Sequence, residues 1–295
     1  LKQIIGIDIG GTKIAIGLFD ETGRFIASST IPTHAQAPFS EAIVRIFEAV
    51  DELLGNTTTL TGIGIGCAGP LDTEKGVVQN PYTLSGWENA PIVATLSDRY
   101  GCPVRLENDA DVALLGEVFA HKKEKPVRNA LMLTFGTGVG GAVLHNGKLF
   151  KTENFGHPEF GHILVAPGEG ECYCGGDGCL EGLASGLALT QQAQALGFED
   201  FQDLVAQGGL QGSGKFLVHQ WVERVGRALW TLVHIFSPSM VILGGGAMSS
   251  LFDLVNQKIT ENMQSGIFYK EFALVEASLG AEAGMVGAAT LVLPV

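Results

Sequence analysis

Apolar positions open the chain as a β-branched run, Gln3 to Ile9, which enters the glycine turn Gly10-Gly11-Thr12-Lys13 and returns over Ile14 to Phe19. The pattern predicts a hairpin with a polar apex. A third strand, Arg24 to Ile31, follows the turn Asp20-Glu21-Thr22-Gly23. Ile43, Ile46, Phe47, Val50 and Leu54 then recur at helical spacing over Phe39 to Leu54. Farther on, Gly62 to Cys67 and Pro103 to Glu107 read as strands, and Ala90 to Tyr100 and Ala110 to Ala120 as helices. The lysine-rich stretch His121 to Pro126 interrupts this order and marks a domain boundary.

Beyond it the layout repeats. Asn129 to Phe135 is a strand, Gly136-Thr137-Gly138-Val139-Gly140-Gly141 a glycine turn, and Ala142 to His145 a returning strand closed by Asn146-Gly147. Helices follow around Leu180 to Leu196 and Phe216 to Phe236. A strand, Met240 to Leu243, runs into Gly244-Gly245-Gly246, and a last helix spans Ala281 to Leu293. The class is mixed α/β, with a small N-terminal lobe over residues 1–121 that the C-terminal helix of residues 281–295 joins, and a large lobe over residues 122–280.

A formal charge of −13 argues against nucleic-acid and anionic-membrane partners, which draw their affinity from clustered Lys and Arg. The apolar segments are short and interrupted by glycine, and Leu1-Lys2-Gln3 opens no signal-like stretch, so a cytoplasmic protein is expected. The 41 glycines, many beside β-branched runs, point to tight turns and close approach to a ligand such as a nucleotide phosphate.

The two glycine turns carry that chemistry. Consecutive backbone N–H groups without blocking side chains form a nest for phosphate oxygens, and Thr12 and Lys13 add donors. Asp8, just before the first turn, is placed to hold Mg2+ through water. Either turn alone would read as a tight hairpin; two in matched contexts favour phosphate binding. No Gly-Lys-Ser/Thr opens a helix, and a strand rather than a helix follows each turn, so neither the Walker nor the dinucleotide pattern applies. Asp109, where a strand gives way to a helix, is either the helix cap or a catalytic carboxylate.

His162, Cys172, Cys174 and Cys179 give the spacing His-x9-Cys-x-Cys-x4-Cys, with Gly175-Gly176-Asp177-Gly178 letting the chain curl back. Three thiolates and one imidazole form a closed tetrahedral set, the composition of structural Zn2+; free thiols in a turn are the alternative. Glu159 and Glu181 flank these ligands.

Asp8-Ile9-Gly10-Gly11-Thr12-Lys13, the Gly136 to Gly141 turn and Leu243-Gly244-Gly245-Gly246 resemble the nucleotide motifs of the ROK family of sugar kinases, in the actin and hexokinase superfamily. The resemblance runs from Ile4 to the C-terminal helix. It implies a two-lobed actin-like ATPase (ribonuclease H-like) fold with a zinc-stapled loop, a homodimer, and ATP with Mg2+ as co-substrates. Asp8, Gly10, Gly11, Thr12, Lys13, Thr137 and Gly138 would meet the phosphates, and Gly244, Gly245 and Gly246 would lie near the adenosine. Asp109 of the Asn108-Asp109 pair would be the catalytic base. His157 to His162 and Cys172 to Glu181 resemble the family signature, in which Glu159, His162 and Glu181 touch sugar hydroxyls; Gly69, Thr83 and Asn108 complete the expected sugar contacts.

Leu84-Ser85-Gly86-Trp87 resembles the family's sugar-contacting segment, but Thr83 stands where asparagine is common, leaving Asn80 or the Thr83 hydroxyl to compensate. Pro158 replaces a common glycine, as in a subset that includes bacterial fructokinases, whereas Glu107-Asn108-Asp109 is nearer the glucokinase form. Phosphorylation of the glucose 6-hydroxyl is the leading expectation, then fructose or an N-acetylhexosamine. A sugar-sensing regulator of the same fold would need a DNA-binding segment, for which the first strand leaves no room.

Overall fold

The computed structural model describes residues 2–55, 59–121, 126–153, 157–207, 212–264 and 271–293. Residues 122–125 of the lysine-rich boundary stretch lie outside these. The chain forms two compact units, one of Leu1–Glu124, Lys151–His157 and Leu279–Val295, the other of Lys125–Phe150 and Pro158–Ser278.

Unit 1 opens with β1 (Lys2–Ile9), β2 (Lys13–Asp20) and β3 (Phe25–Pro32), followed by α1 (Phe39–Leu54), β4 (Thr59–Cys67), the short hairpin β5 (Leu71–Asp72) and β6 (Val77–Val78), α2 (Ile92–Tyr100), β7 (Val104–Asn108) and α3 (Asp109–Ala120). Its main sheet has the order β3-β2-β1-β4-β7, in which β1, β2 and β3 are antiparallel and β4 and β7 run parallel to β1. Unit 2 contains β8 (Ala130–Phe135), β9 (Val139–His145), β10 (Lys148–Leu149), α4 (Leu180–Ala184), α5 (Gly186–Ala195), α6 (Phe201–Ala206), α7 (Gly212–Phe236), β11 (Met240–Gly244), α8 (Gly246–Ser249), α9 (Phe252–Gln264) and β12 (Ala273–Glu276). Its sheet, β10-β9-β8-β11-β12, repeats the plan of three antiparallel strands followed by two parallel ones. The last helix, α10 (Ala283–Thr290), belongs to unit 1.

The sequence pattern misses α6, α9 and β12, and it reads α4 and α5 as one helix. Ser185 separates these two: its extended backbone ends α4, and its hydroxyl accepts the Ala188 N–H at 3.2 Å to cap α5. The last helix is shorter than expected because a single 3-10 turn occupies Gly280–Glu282.

Unit 1 is a sheet with a different kind of packing on each face, and period-2 alternation sets which residues face which side. Ile5, Ile7, Ile9, Ile14 and Ile16 join Ile43, Ile46 and Val50 of α1 in one core. On the opposite face the strands carry Gly6, Gly17 and Gly64, where α10 settles into the space they leave, together with Gly62, which receives Val292, and Gly66, which receives Val112 of α3. A Cβ on Gly6 would stand 2.1 Å from the Met285 carbonyl oxygen, and one on Gly64 would stand 1.7 Å from that of Ala288. α10 meets α3 as closely: a Cβ on Gly116 would be 2.3 Å from the Ala283 oxygen, and one on Gly287 1.6 Å from the Val112 oxygen. Much of the glycine content thus serves helix packing, where the sequence suggested ligand-binding turns. Unit 2 has its own core, built from β8, β9 and β11 with α4 to α7, in which Phe135 and Trp221 meet edge to face at 5.4 Å.

Gly64→Ala places its new methyl against backbone rather than a side chain that can swing away, so the expected loss is about 3 kcal/mol of stability or more. Gly226→Ala, whose Cβ would meet only Lys258 Cγ at 3.5 Å in α7, is the matched control and should be neutral or stabilising. Urea denaturation of the two variants checks this.

Candidate active site

In unit 1 the β1–β2 apex is exposed over Gly11, Thr12 and Lys13 and closed by the Gly10 N–H donating to the Lys13 carbonyl at 3.0 Å. Thr33 braces it from β3's end, its hydroxyl donating to the Gly10 carbonyl at 2.7 Å. Asp8 ends the glycine-rich face of β1 and lies against α10; a Cβ on Gly284 would stand 2.4 Å from its carboxylate. Burial, with Asp109 adding repulsion against the partial relief of Lys13, raises the Asp8 carboxyl to about 6. A crowded carboxylate beside another carboxylate and an open amide turn suits a cation.

Asp109 is exposed at the first position of α3, directly after β7. The cap is Asn108: its buried side-chain oxygen accepts the Ala110 N–H at 2.9 Å, and Asp109 Oδ1 approaches the same N–H at 2.8 Å. This leaves the second Asp109 oxygen for other work, and it commits Asn108 Oδ1 to the backbone. On either side of the pair, Glu107 and Asp111 both accept from Lys151 Nζ, at 2.7 Å in the case of Asp111. Burial pushes the Asp111 carboxyl up, and the Lys151 ammonium opposes the shift. The lysine thus ties the segment Lys151–His157 to the strand-to-helix turn that presents Asp109. Nothing in the sequence spacing announced that role.

Gly69 sits beside this turn, where a Cβ would lie 3.5 Å from Asn108 Nδ2. Thr83 is exposed and adjoins the β1–β2 apex, its carbonyl 3.5 Å from a Cβ on Gly11. Asn80 is fully buried; it accepts the Tyr82 and Thr83 N–H groups at 2.9 Å and donates to the Ala68 carbonyl and the Thr83 hydroxyl. Asn80 therefore shapes the loop, and the surface hydroxyl is that of Thr83.

In unit 2 the second glycine turn closes through Gly136 N–H to the Gly138 carbonyl at 3.0 Å and leaves Thr137 exposed. Gly244 and Gly245 carry β11 past it: Gly245, at φ 100°, runs so close to β8 that a Cβ would stand 2.2 Å from the Phe135 oxygen. A cavity of about 280 Å³ follows, lined by Phe135, Gly136, Thr137, Gly246 and Ala247 together with Leu187, Thr190, Phe201 and Gln202. The last four come from α5 and α6, and sequence reasoning missed them because they form no compact motif.

The Cys/His group assembles as its spacing implies. The ligand atoms of His162, Cys172, Cys174 and Cys179 lie within 4.8 Å of one another. Cys174 Sγ and Cys179 Sγ are 3.6 Å apart, and His162 Nδ1 is 3.5 Å from Cys172 Sγ. Thiolates about 2.3 Å from a common tetrahedral ion stand about 3.8 Å apart, so the donor set and spacing fit Zn2+. Asp177 holds the loop around them by accepting the Gly168 and Gly170 N–H groups at 2.9 and 3.0 Å.

Glu181 is the second residue of α4, two after Cys179, and its carboxylate reaches back to the second glycine turn. Oε2 accepts the Val139 N–H at 2.8 Å, and a Cβ on Gly138 would stand 2.4 Å from that oxygen. Oε1 accepts the Tyr173 hydroxyl at 2.9 Å. Glu159 is exposed just before the 3-10 turn that carries His162. Among the described residues no helix is long and apolar enough to cross a membrane.

Comparison with known proteins agrees with this arrangement. Residues 4–294 match the ROK family. The glucokinase of Thermotoga maritima is 30% identical, with 98% of this chain and 97% of that protein covered. The crystal structure of a ROK hexokinase from Thermus thermophilus superposes with a TM-score of 0.82 at 34% identity, covering 97% of this chain and 96% of that one. A ROK family glucokinase from Streptomyces griseus, in complex with glucose and AMPPNP, gives a TM-score of 0.72 at 31% identity, over 98% and 99% of the two chains. With the glycine turns, the Asn108-Asp109 pair and the His/Cys3 loop folded as described, and with similarity along nearly its whole length, the chain belongs to the ROK family and has its two-unit, actin-like α/β fold.

Proposed function

We propose that the protein is an ATP-dependent hexose kinase that transfers the γ-phosphoryl group to the 6-hydroxyl of glucose. The observation that carries this reading is Glu181, whose carboxylate gives one oxygen to an amide of a phosphate-type glycine turn and the other to a hydroxyl, beside a Cys3His metal cluster. Similarity to glucokinases across the whole chain supports glucose as the acceptor.

A sugar hydroxyl becomes a competent nucleophile as its proton is taken up, and Asp109 is the exposed carboxylate for that proton, held by the Asn108 cap and the Lys151 brace. Glu159, His162 and Glu181 take the other hydroxyls and fix the ring's orientation. Backbone amides at Gly11 to Lys13 and at Thr137 and Gly138 receive phosphate oxygens, while the Gly10 N–H holds the turn closed, and the cavity bounded by Gly246 and Gln202 is of a size for the adenine base. Asp8 would hold Mg2+ through water, which supplies charge neutralisation at the phosphates. His162, Cys172, Cys174 and Cys179 would hold Zn2+ with no position left open for reaction. Its role is to stiffen the loop that carries the sugar acceptors.

In Asp109→Asn, kcat should fall by about 10²- to 10⁴-fold while glucose KM stays nearly constant. Near-normal sugar-dependent ADP release would remove Asp109 from the base role. For the metal, elemental analysis should find one zinc per chain. Stripping it with a chelator should abolish glucose binding measured calorimetrically, while a fluorescent ADP analogue still binds.

The Asp8 carboxyl, raised to about 6 from 3.8, makes a third prediction. A raised acid gives stability that is fully present below the unfolded value and lost as pH rises through the folded one. The ionised group therefore costs about 3 kcal/mol at about pH 8 when no cation is bound. Asp8→Asn should denature later than the wild type at that pH without Mg2+, and the gain should vanish towards about pH 4. A pH-independent difference in urea midpoints would show that the charge of Asp8 is not under strain.

A further inference from the structure

Tyr173 lies between two of the metal-ligating cysteines, and its side chain is 84% exposed, so packing does not explain its orientation. The ring meets the His162 imidazole edge-on, 5.1 Å between centroids at 84°. Its hydroxyl is engaged twice, 3.2 Å from His162 Nε2 and 2.9 Å from Glu181 Oε1. His162 turns Nδ1 towards Cys172 Sγ and the metal-type ligand set, and with Nδ1 serving as a ligand the ring proton would sit on Nε2. Nε2–H then donates to the phenolic oxygen, and the phenolic O–H donates to Glu181. One oxygen accepts from His162 and donates to Glu181, which is what a sugar hydroxyl recognised by the same pair would do. Both Glu181 oxygens are engaged, Oε2 by the Val139 N–H and Oε1 by the phenol, so a sugar hydroxyl approaching Oε1 beside His162 meets the phenol there.

We propose that Tyr173 is a specificity-determining residue whose hydroxyl occupies the sugar-hydroxyl position on His162 and Glu181 in the sugar-free protein and yields it to substrate. The proposal rests on the reading that His162 and Glu181 recognise sugar. Its consequence is selective. A sugar with a hydroxyl at that position replaces both hydrogen bonds of the phenol and displaces it without loss. One lacking that hydroxyl leaves the phenol in place and gains nothing from the pair.

The test is Tyr173→Phe, which keeps the ring beside the imidazole and removes the hydroxyl. The variant exposes Glu181 Oε1 to water, which a sugar displaces more easily than a tethered phenol. Calorimetry with glucose in the absence of nucleotide should show a Kd about 3- to 10-fold lower than wild type. Glucose KM should follow, with kcat, ATP KM and zinc content unchanged. In a panel of monodeoxyglucoses, one analogue, the one lacking the hydroxyl that meets Glu181, should bind wild type and variant equally. An unchanged or raised glucose Kd in a zinc-loaded variant would overturn the proposal, as would loss of zinc from the variant, which would make Tyr173 part of the loop's frame. Absence of sugar binding or turnover in the wild type itself would instead overturn the kinase reading, so the two failures are distinguishable.

Discussion

Unit 1 depends on how closely α10 approaches the sheet. α10 touches the strands through backbone at Gly6 and Gly64 and touches α3 at Gly116 and Gly287, distances that no side chain allows. The approach buries the first strand and the last helix in one another, and it sets the positions of two candidate site carboxylates. Asp8 continues the glycine face of β1 and so ends against Gly284 at the start of α10. α3 packs on the same helix and begins with Asp109, so the exposed carboxylate inherits its place from contacts made farther along α3. Leu279 N–H donating to Glu117 at 2.8 Å anchors the segment that leads into α10.

Unit 2 solves a different problem. The two candidate sugar contacts, Glu181 as acceptor and His162 as donor, must hold still to be selective, yet they stand at the edge of a loop rich in glycine. The loop gains rigidity from several sources at once: four metal-type ligands, the Asp177 acceptors and the Glu181 bond to the glycine turn. The same carboxylate therefore links the Cys/His loop to the second glycine turn within this unit. Any displacement of α4 is felt at the Val139 amide.

Features borne by contiguous residues could be read from the sequence. The hairpins, their glycine apices and the His/Cys3 set were legible because hydrophobic period and ligand spacing are local quantities. β12 was not, since Ala273 to Glu276 is short and only half buried at the edge of its sheet. The role of the β4 glycines was hidden for a related reason: Gly62, Gly64 and Gly66 alternate with apolar residues in a strand, and only the residues packed against them show that they are sockets. Lys151, Tyr173 and the α5–α6 side of the cavity were invisible because their significance lies in contacts made by residues distant in the chain. Asp109 was half legible. Its position suggested a cap, and the cap proved to be Asn108, one residue earlier.

The seating of α10 also bears on how the chain acquires its fold during synthesis. All strands and helices of unit 2 precede Ser278, so its core can close once they have emerged from the ribosome. Unit 1 cannot. Five of its strands are made early, but the face lined by Gly6, Gly17 and Gly64 has no partner until residues 283–290 follow. The half of the molecule translated first is thus the half completed last, and for most of translation its sheet carries an open, helix-shaped groove that a chaperone or another nascent chain can find.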